Sequence, residues 1–192
     1  MPPKCRFTRE QIVQAALNLT RREGIGAVTA RAVGAELNSS SKVVFGLFES
    51  MEELQREVIH AADARYQARI RQEMAAGRYP PYKASGMAYI GFAKEEPELF
   101  RLLFMRDRTR ETQASESAET QMLTGMLRDS MGLSEESARI FHLEMWICVH
   151  GIATMLATQY LEWDWEIISR MMSDLYDGLR RRYQEENRNE CH

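Results

Sequence analysis

Apolar and polar residues alternate with a helical period along almost the whole chain. After Phe7 and Thr8, apolar residues recur at three- and four-residue spacing, which is typical of one buried helix face. Gln11 stands three residues after Thr8 and completes a capping box, and Gly24 provides a helix stop. The sequence therefore predicts a first helix between Thr8 and Gly24.

Two short helices are predicted next. Thr29 is a good N-cap for a second helix that ends near Leu37. Asn38 tolerates the left-handed backbone that a tight corner between helices needs. Ser40 then predicts the cap of a third helix over residues 41–48. A short helix, a corner and a second short helix form the pattern of a helix-turn-helix, in which the second helix enters the major groove of DNA.

The rest of the chain is predicted to be helical as well. Ser50 and Glu53 form a capping box that opens a long helix over residues 51–76. No strand-like alternation and no internal repeat interrupts the pattern. We expect further helices over residues 82–95, 97–106, 115–131, 135–161 and from Asp164 to about 185, with a disordered tail over 184–192. The predicted fold is all-α, with about nine helices: a three-helix helix-turn-helix domain at 1–50 and a helical bundle at 51–192.

Composition narrows the class of protein. Of the 192 residues, 44% are hydrophobic and 28% charged, which excludes a wholly disordered chain. The three cysteines form no CxxC pair, so a reducing cytoplasm is the simplest location. The N-terminus lacks the apolar stretch of a signal peptide. The apolar run at 145–158 is shorter than the ~20 residues of a membrane span, so we expect a buried core helix and no membrane.

Charge is divided unevenly along the chain. The net formal charge is −3, but residues 1–48 hold seven basic and three acidic side chains, a charge of +4. The remaining residues therefore carry −7. A basic N-terminal module on an acidic body is expected when the module meets a polyanion such as DNA.

The N-terminal residues resemble the TetR family of bacterial transcriptional repressors. The family's usual string is a Thr, an apolar-Ala pair, a Gly corner, a Ser-capped recognition helix, an aromatic residue and a Phe. The matching residues here are Thr29, Val33, Gly34, Asn38, Ser40, Phe45 and Phe48. Trp146, His150 and Gly151 resemble a Trp/His-Gly pattern of one regulatory subgroup. Asn38 departs from the usual corner Gly, and Phe45 from a phosphate-contacting Tyr.

The resemblance implies a dimer that binds a double-stranded DNA operator with an inverted repeat. The N-terminal end of the third helix is the best candidate for contact with bases and phosphates, and Phe48 is expected in the core. Lys4 and Arg6 could reach an adjacent groove or form a solvated tail. The candidate DNA-binding residues are Thr29, Arg31, Ser40, Ser41, Lys42, Val43 and Phe45.

The C-terminal bundle is expected to bind a largely apolar small-molecule effector. Twelve methionines suit an adaptable pocket, although a methionine stripe is more often part of a plain core. His150 is the one plausible polar anchor, or else a satisfied core histidine. The candidate ligand-binding residues are Tyr89, Phe92, Phe104, Met105, Met122, Met126, Trp146 and His150.

The last two helices are expected to form a homodimer interface. Apolar residues of the last helix repeat at alternating spacings of three and four, which suits packing along another helix, in the same chain or in a partner. The candidate interface residues are Ile152, Met155, Trp165, Ile168, Met172, Leu175 and Leu179.

Two functions other than a DNA-binding regulator are open to a helical chain of this kind. A helical bundle can hold a di-metal carboxylate enzyme, and Glu57 and His60 have the spacing of one half of such a site. The second Glu-x-x-His is missing, and no hydrolase or nucleotide-binding motif is present. We therefore expect no catalytic residues, metal or cofactor. The other alternative is an interaction module that does not bind DNA, against which the basic N-terminal module argues.

Overall fold

The computed structural model describes residues 7–107 and 117–190, with side chains up to residue 186. The elements in these ranges are α-helices and a 3-10 turn, and no strand occurs within them. This confirms the predicted all-α class. The helices are α1 (Arg9–Glu23), α2 (Ala30–Glu36), α3 (Lys42–Phe45), α4 (Met51–Ala75), α5 (Pro81–Glu95), α6 (Pro97–Phe104), α7 (Ala118–Met131), α8 (Glu135–Ala157) and α9 (Trp165–Glu190).

The predicted helix signals at the N-terminus are confirmed. The Thr8 hydroxyl accepts a hydrogen bond from the Gln11 amide at 3.2 Å, and the Gln11 side chain accepts one from the Thr8 amide at 2.9 Å. Gly24 ends α1 with φ 81°. Asn38 takes the left-handed corner with φ 50°. Ser50 caps α4 by accepting from the Glu53 amide at 3.2 Å.

Several predicted boundaries were wrong. α3 spans only Lys42–Phe45, not 41–48. α8 stops at Ala157 rather than 161, because the chain turns there with Gln159 at φ 57°. α7 begins at Ala118, where Ser117 caps it. α9 continues to Glu190, although residues 184–192 were expected to be disordered.

The chain forms two compact units. The first unit comprises residues 1–69 and 92–106, and the second comprises 70–91 and 107–192. The divisions fall inside α4 and α5, so each of these helices contributes to both units. The two units are defined by contacts within the chain. The predicted boundary at residue 50 instead separates a DNA-binding domain from a regulatory domain, so it stays a prediction.

The first unit has a continuous apolar core. α1, α2 and α3 supply its N-terminal part, and α4 and α6 supply the rest. Burial of such side chains stabilises a fold by about 1.5–3 kcal/mol each. The fully or almost fully buried side chains include Ile12, Val33, Val44, Phe48, Leu54, Val58, Leu99 and Phe100.

A buried carboxylate joins three helices of the first unit. Glu96 lies between α5 and α6, and its side chain is 10% exposed. Arg21 of α1 donates two hydrogen bonds to it, both at 2.7 Å. Arg65 of α4 donates two more, at 2.6 and 2.9 Å. Burial acts to raise the pKa of Glu96, but the hydrogen bonds from the two guanidiniums outweigh it and lower that pKa.

The corner between α2 and α3 requires a glycine. A Cβ atom at Gly34 would lie 2.8 Å from the carbonyl carbon of Ser40 and 2.9 Å from the Ser41 amide nitrogen. The Ser39 amide also donates to the Gly34 carbonyl oxygen at 2.8 Å. The two short helices therefore approach each other at backbone distance.

The second unit is built around α5, α8 and α9. An aromatic cluster joins these helices: the Phe141 ring lies 5.5 Å from Tyr176 and 5.4 Å from Tyr183. α5 approaches α9 closely at Gly86, where a Cβ would meet the Met172 Cε at 2.7 Å. Sulfur and aromatic groups thus fill the space between these helices.

α8 is long and apolar enough, by length and composition alone, to cross a membrane. An 18-residue stretch of it has a mean hydropathy of 1.4 and is 33% buried. The apolar run at 145–158 alone is shorter than a span, and it is the whole helix from Glu135 that reaches this length. The core helix of a bundle meets the same criteria. One face of α8, which includes Phe141, Met145 and Val149, is buried within the chain.

Substitution of Gly34 tests the helix corner. Gly34→Ala places a methyl group against backbone that must shift, which costs about 1–3 kcal/mol and outweighs the ~1 kcal/mol that alanine gains in a helix. We expect a lower free energy of unfolding in urea. Gly26→Ala is the control, because a Cβ there meets nothing within 4 Å. Equal stability of Gly34→Ala and the parent would contradict the close approach.

Glu96→Gln tests the three-helix ion cluster. We expect a loss of about 1–3 kcal/mol in unfolding free energy at pH 7, because two guanidiniums lose their charged acceptor. A lowered folded-state pKa means that the stabilisation is complete above pH ~4.5 and disappears as the pH falls through the folded pKa.

The difference between parent and Glu96→Gln should therefore shrink on acidification below pH ~4.5. Glu95→Gln is the matched control: this neighbouring carboxylate pairs with Arg69 at the surface, and its side chain is 54% exposed. Its loss should cost at most about 1 kcal/mol. Equal effects of the two substitutions at pH 7 would contradict the role of Glu96.

Candidate nucleic-acid interface and ligand site

The start of α2 is capped as the sequence predicts. The Thr29 hydroxyl accepts a hydrogen bond from the Ala32 amide at 3.1 Å, and the Thr29 residue is exposed. Thr29 therefore marks an exposed start of α2. The amides at such a helix start can donate hydrogen bonds to a phosphate oxygen.

Ser40 does not cap α3 as expected. Ser41 occupies the cap position with helical backbone, and its side chain makes no capping hydrogen bond. The backbone instead closes the turn, since Val43 and Val44 donate to the Ser40 and Ser41 carbonyl oxygens at 3.3 Å. The two serine hydroxyls have no hydrogen-bond partner within the described residues. They are therefore available to a ligand.

α3 presents its N-terminal end to solvent and buries its opposite side. Val44 is fully buried and Phe48 is 2% exposed, which confirms the core position predicted for Phe48. Phe45 is 57% exposed, so its ring is not part of the core. Val43 is half-buried, and the other candidate DNA-binding residues are exposed: Thr29, Arg31, Ser40, Ser41 and Lys42.

Several basic side chains near the N-terminus are paired with carboxylates of the same chain. Arg21 pairs with Glu96, and Arg22 donates to both oxygens of Glu36 at 3.0 and 2.8 Å. Arg31 and Lys42 form no ion pair within the described part of the chain. Lys4 and Arg6, the candidates for an N-terminal arm, lie outside the described residues.

Arg9 links α1 to the segment that follows α3. Its Nη1 donates to the Leu47 carbonyl oxygen at 2.6 Å, and its Nη2 donates to Glu53 at 2.9 Å. The guanidinium lies 4.2 Å from the centre of the Phe48 ring. The sequence predicts only the charge of Arg9, because nothing local to it signals partners 38 and 44 residues away.

Part of the predicted ligand-binding set forms one polar cluster in the second unit. The Tyr89 hydroxyl lies 2.9 Å from Nδ1 of His150, and the Trp146 ring stacks on His150 with centroids 4.8 Å apart. Burial raises the pKa of Tyr89 and lowers the pKa of His150, so both side chains are neutral near pH 7. Trp146 is 40% exposed.

The structure does not bring the whole predicted set together within a unit. Phe92 and Phe104 belong to the first unit, where they contact Tyr66 with ring centroids 5.4 and 5.1 Å apart. Met105 of the first unit is 43% exposed and Met122 of the second unit 40% exposed, and Met126 is half-buried. A common lining for all eight residues stays a prediction.

A cavity of about 230 Å³ lies elsewhere in the second unit. It is bounded by the start of α5, the middle of α8 and α9. Sequence reasoning missed it, because its lining residues are spread over about one hundred positions and match the ordinary pattern of helix faces. The lining residues are Pro80, Tyr82, Lys83, Met145, Met172, Ser173, Tyr176 and Asp177.

Several of the residues predicted for a dimer interface are covered by their own chain. Ile152, Ile168 and Met172 are at most 4% exposed. A side chain already buried in the protomer cannot be the surface that a partner covers. Met155, Trp165, Leu175 and Leu179 are half-buried.

α8 instead exposes a different apolar row. Ile140 is 38% exposed, Leu143 47% and Ile147 59%. Their spacing of three and four places them on one helix face, which Gly151 continues. A Cβ at Gly151 would meet nothing within 4 Å, so this position is open in the protomer.

The described residues contain no group of three or more His, Cys, Asp or Glu that could hold a metal ion. Glu57, one half of the candidate metal motif, lies 3.4 Å from Arg9. His60 is exposed.

Two comparisons with known proteins agree with this geometry. Residues 82–176 match the family described as "Tetracyclin repressor-like, C-terminal domain". An uncharacterised HTH-type transcriptional regulator of Mycobacterium tuberculosis is 26% identical, over 82% of this chain and 73% of that protein. The family match covers only the C-terminal part of the chain. The similarity to the mycobacterial regulator covers 82% of the chain and so extends beyond that part. With its capped α2, glycine-dependent corner and exposed α3, the chain belongs to the TetR family of DNA-binding transcriptional regulators.

Proposed function

We propose that the protein is a homodimeric repressor that binds an inverted repeat in DNA through α3 and leaves it when a small molecule binds the C-terminal bundle. The observation that carries this proposal is the exposed start of α3. There the hydroxyls of Ser40 and Ser41 and the ammonium of Lys42 have no partner within the described residues. These are groups that contact base edges and phosphates.

Each exposed group has a distinct role in the proposed complex. Thr29 and the first amides of α2 bind a phosphate. Ser40 and Ser41 reach base edges, and Lys42 contacts a base edge or a nearby phosphate. Arg31, in the first turn of α2, adds a second cation to the phosphate contacts. Val43 and the exposed ring of Phe45 lie beside them, where apolar groups can meet a thymine methyl or the sugar backbone.

The dimer is proposed to form through α8 and α9. The row formed by Ile140, Leu143 and Ile147 leaves an apolar helix face exposed in a single protomer, and burying it stabilises association. Ile167, which is 55% exposed near the start of α9, adds a further apolar side chain. A two-fold dimer can place two α3 helices ~34–36 Å apart, at successive major grooves of an inverted repeat.

Release by an effector needs different affinities for two arrangements of the dimer. A complete switch requires about 5.5 kcal/mol of difference. α4 is the proposed lever, because it contributes residues to both units of the chain. The proposed location is the cytoplasm, where the operator would be accessible.

Selection of bound sequences from random duplexes tests the proposed function. We expect an enriched inverted repeat whose affinity falls as salt rises, because phosphate contacts release counterions. A protein that enriches no sequence at either of two salt concentrations would refute the proposal.

Lys42→Ala tests the recognition helix. We expect operator binding to weaken by about 1–3 kcal/mol and the salt dependence to fall by about one counterion per protomer. Lys94→Ala is the matched control, because Lys94 is an exposed lysine of the same unit that is remote from α3 in sequence. Fluorescence anisotropy over a salt series measures both quantities. Unchanged affinity and salt slope in Lys42→Ala would remove α3 from the interface.

Gly151→Leu tests the α8 interface. The new side chain enters open space in the protomer, so the fold should tolerate it, while a partner helix packed on the same row would be pushed away. We expect the dissociation constant of the dimer, measured by sedimentation equilibrium, to be at least tenfold higher than in the parent. Gly125→Leu in α7 is the control, since its Cβ position is equally open. A Gly151→Leu dimer as tight as the parent would place the interface elsewhere.

A further inference from the structure

The cavity in the second unit has an asymmetric lining. Most of its wall is apolar or aromatic, from Met145, Met172, Tyr82 and Tyr176. Among the residues that line it, Lys83 is the one cation and Asp177 the one anion. The carboxylate of Asp177 belongs to an exposed residue, whereas Lys83 is half-buried.

The ammonium of Lys83 is incompletely satisfied by the protein. Its Nζ donates to the Ser173 hydroxyl at 2.8 Å and lies 5.1 Å from the centre of the Tyr79 ring. No carboxylate oxygen lies within 4 Å of it among the described residues. An ammonium carries three donors, so two have no acceptor in this part of the chain.

The two tyrosine hydroxyls of the lining are already engaged. The Tyr82 hydroxyl lies 3.0 Å from Nδ1 of His142, and the Tyr176 hydroxyl donates to the Met131 Sδ at 4.0 Å. Burial raises the pKa of Tyr82, so this hydroxyl stays protonated and its ring adds apolar surface without charge. Lys83 is therefore the group that selects the charge of a ligand.

We propose that this cavity binds an aromatic or branched monocarboxylic acid, with the carboxylate on Lys83 and the apolar body against the thioethers and tyrosine rings. A cavity of about 150 Å³ holds benzene, so about 230 Å³ takes a body and carboxylate of about nine or ten non-hydrogen atoms in total. Flexible thioethers let Met145 and Met172 adapt to its shape. As an effector site, the cavity rests on the proposed function, while binding of the acid does not.

Calorimetric titration of the full chain with phenylacetate tests the proposal. Phenylacetamide has the same shape without the charge, and phenylethylamine reverses the charge. We expect the acid to bind at least tenfold more tightly than the amide, which corresponds to about 1.4 kcal/mol. Failure of the acid to bind, equal binding of acid and amide, or tighter binding of the amine through Asp177 would overturn it.

Two substitutions of Lys83 assign the preference to this residue. Lys83→Met keeps the apolar stem and should abolish the difference between acid and amide, whereas Lys83→Arg should retain it. Lys94→Met is the matched control and should behave as the parent. Thermal unfolding establishes that each variant is folded, and an unchanged preference in a folded Lys83→Met protein would refute the site.

Operator binding with phenylacetate present separates the site from the proposed function. Weaker operator binding in the parent but not in Lys83→Met supports both. Charge-selective binding of the acid with unchanged operator affinity would leave the site standing and remove its role in release.

Discussion

The first unit depends on one buried carboxylate whose charge is neutralised by arginines of two helices. Glu96 stands where α5 gives way to α6, and it holds guanidiniums from α1 and α4 at hydrogen-bond distance. A charge this buried is tolerated only while its partners remain, so the three helices are constrained together. Because α2 packs on α1, the helix-turn-helix inherits this constraint. A shift of α6 therefore has a direct physical route to the surface proposed to bind DNA.

Local signals explain how much of the fold could be predicted. The caps at Thr8, Thr29 and Ser50 and the corner at Asn38 depend on residues within four positions, where chemistry and backbone geometry determine each other. The extent of α3 could not be read in the same way. The backbone hydrogen bonds that begin α3 are long, at 3.3 Å. Its position is instead fixed by the burial of Val44, which depends on the rest of the unit.

Contacts distant in sequence explain what could not be predicted of the site. Arg21 pairs with a carboxylate 75 positions away and Arg22 with one 14 positions away, so both counted fully toward the positive charge of the N-terminal module. The cavity of the second unit was missed for a related reason. Methionine and tyrosine stripes of α5, α8 and α9 have the same period whether they pack tightly or leave a space, and Lys83 resembles any solvated lysine until Ser173 is placed beside it.

The commitment of arginines to ion pairs has a consequence for how such a protein would search a genome. Counterion release scales with the number of phosphates neutralised, and here few described cations near α3 are uncommitted. Attraction to random sequence is correspondingly small, so little protein is sequestered on the vast excess of competing sites. In the proposed complex, dwell times on non-specific DNA would shorten, and occupancy of the operator would depend on the serine-rich start of α3 rather than on net charge.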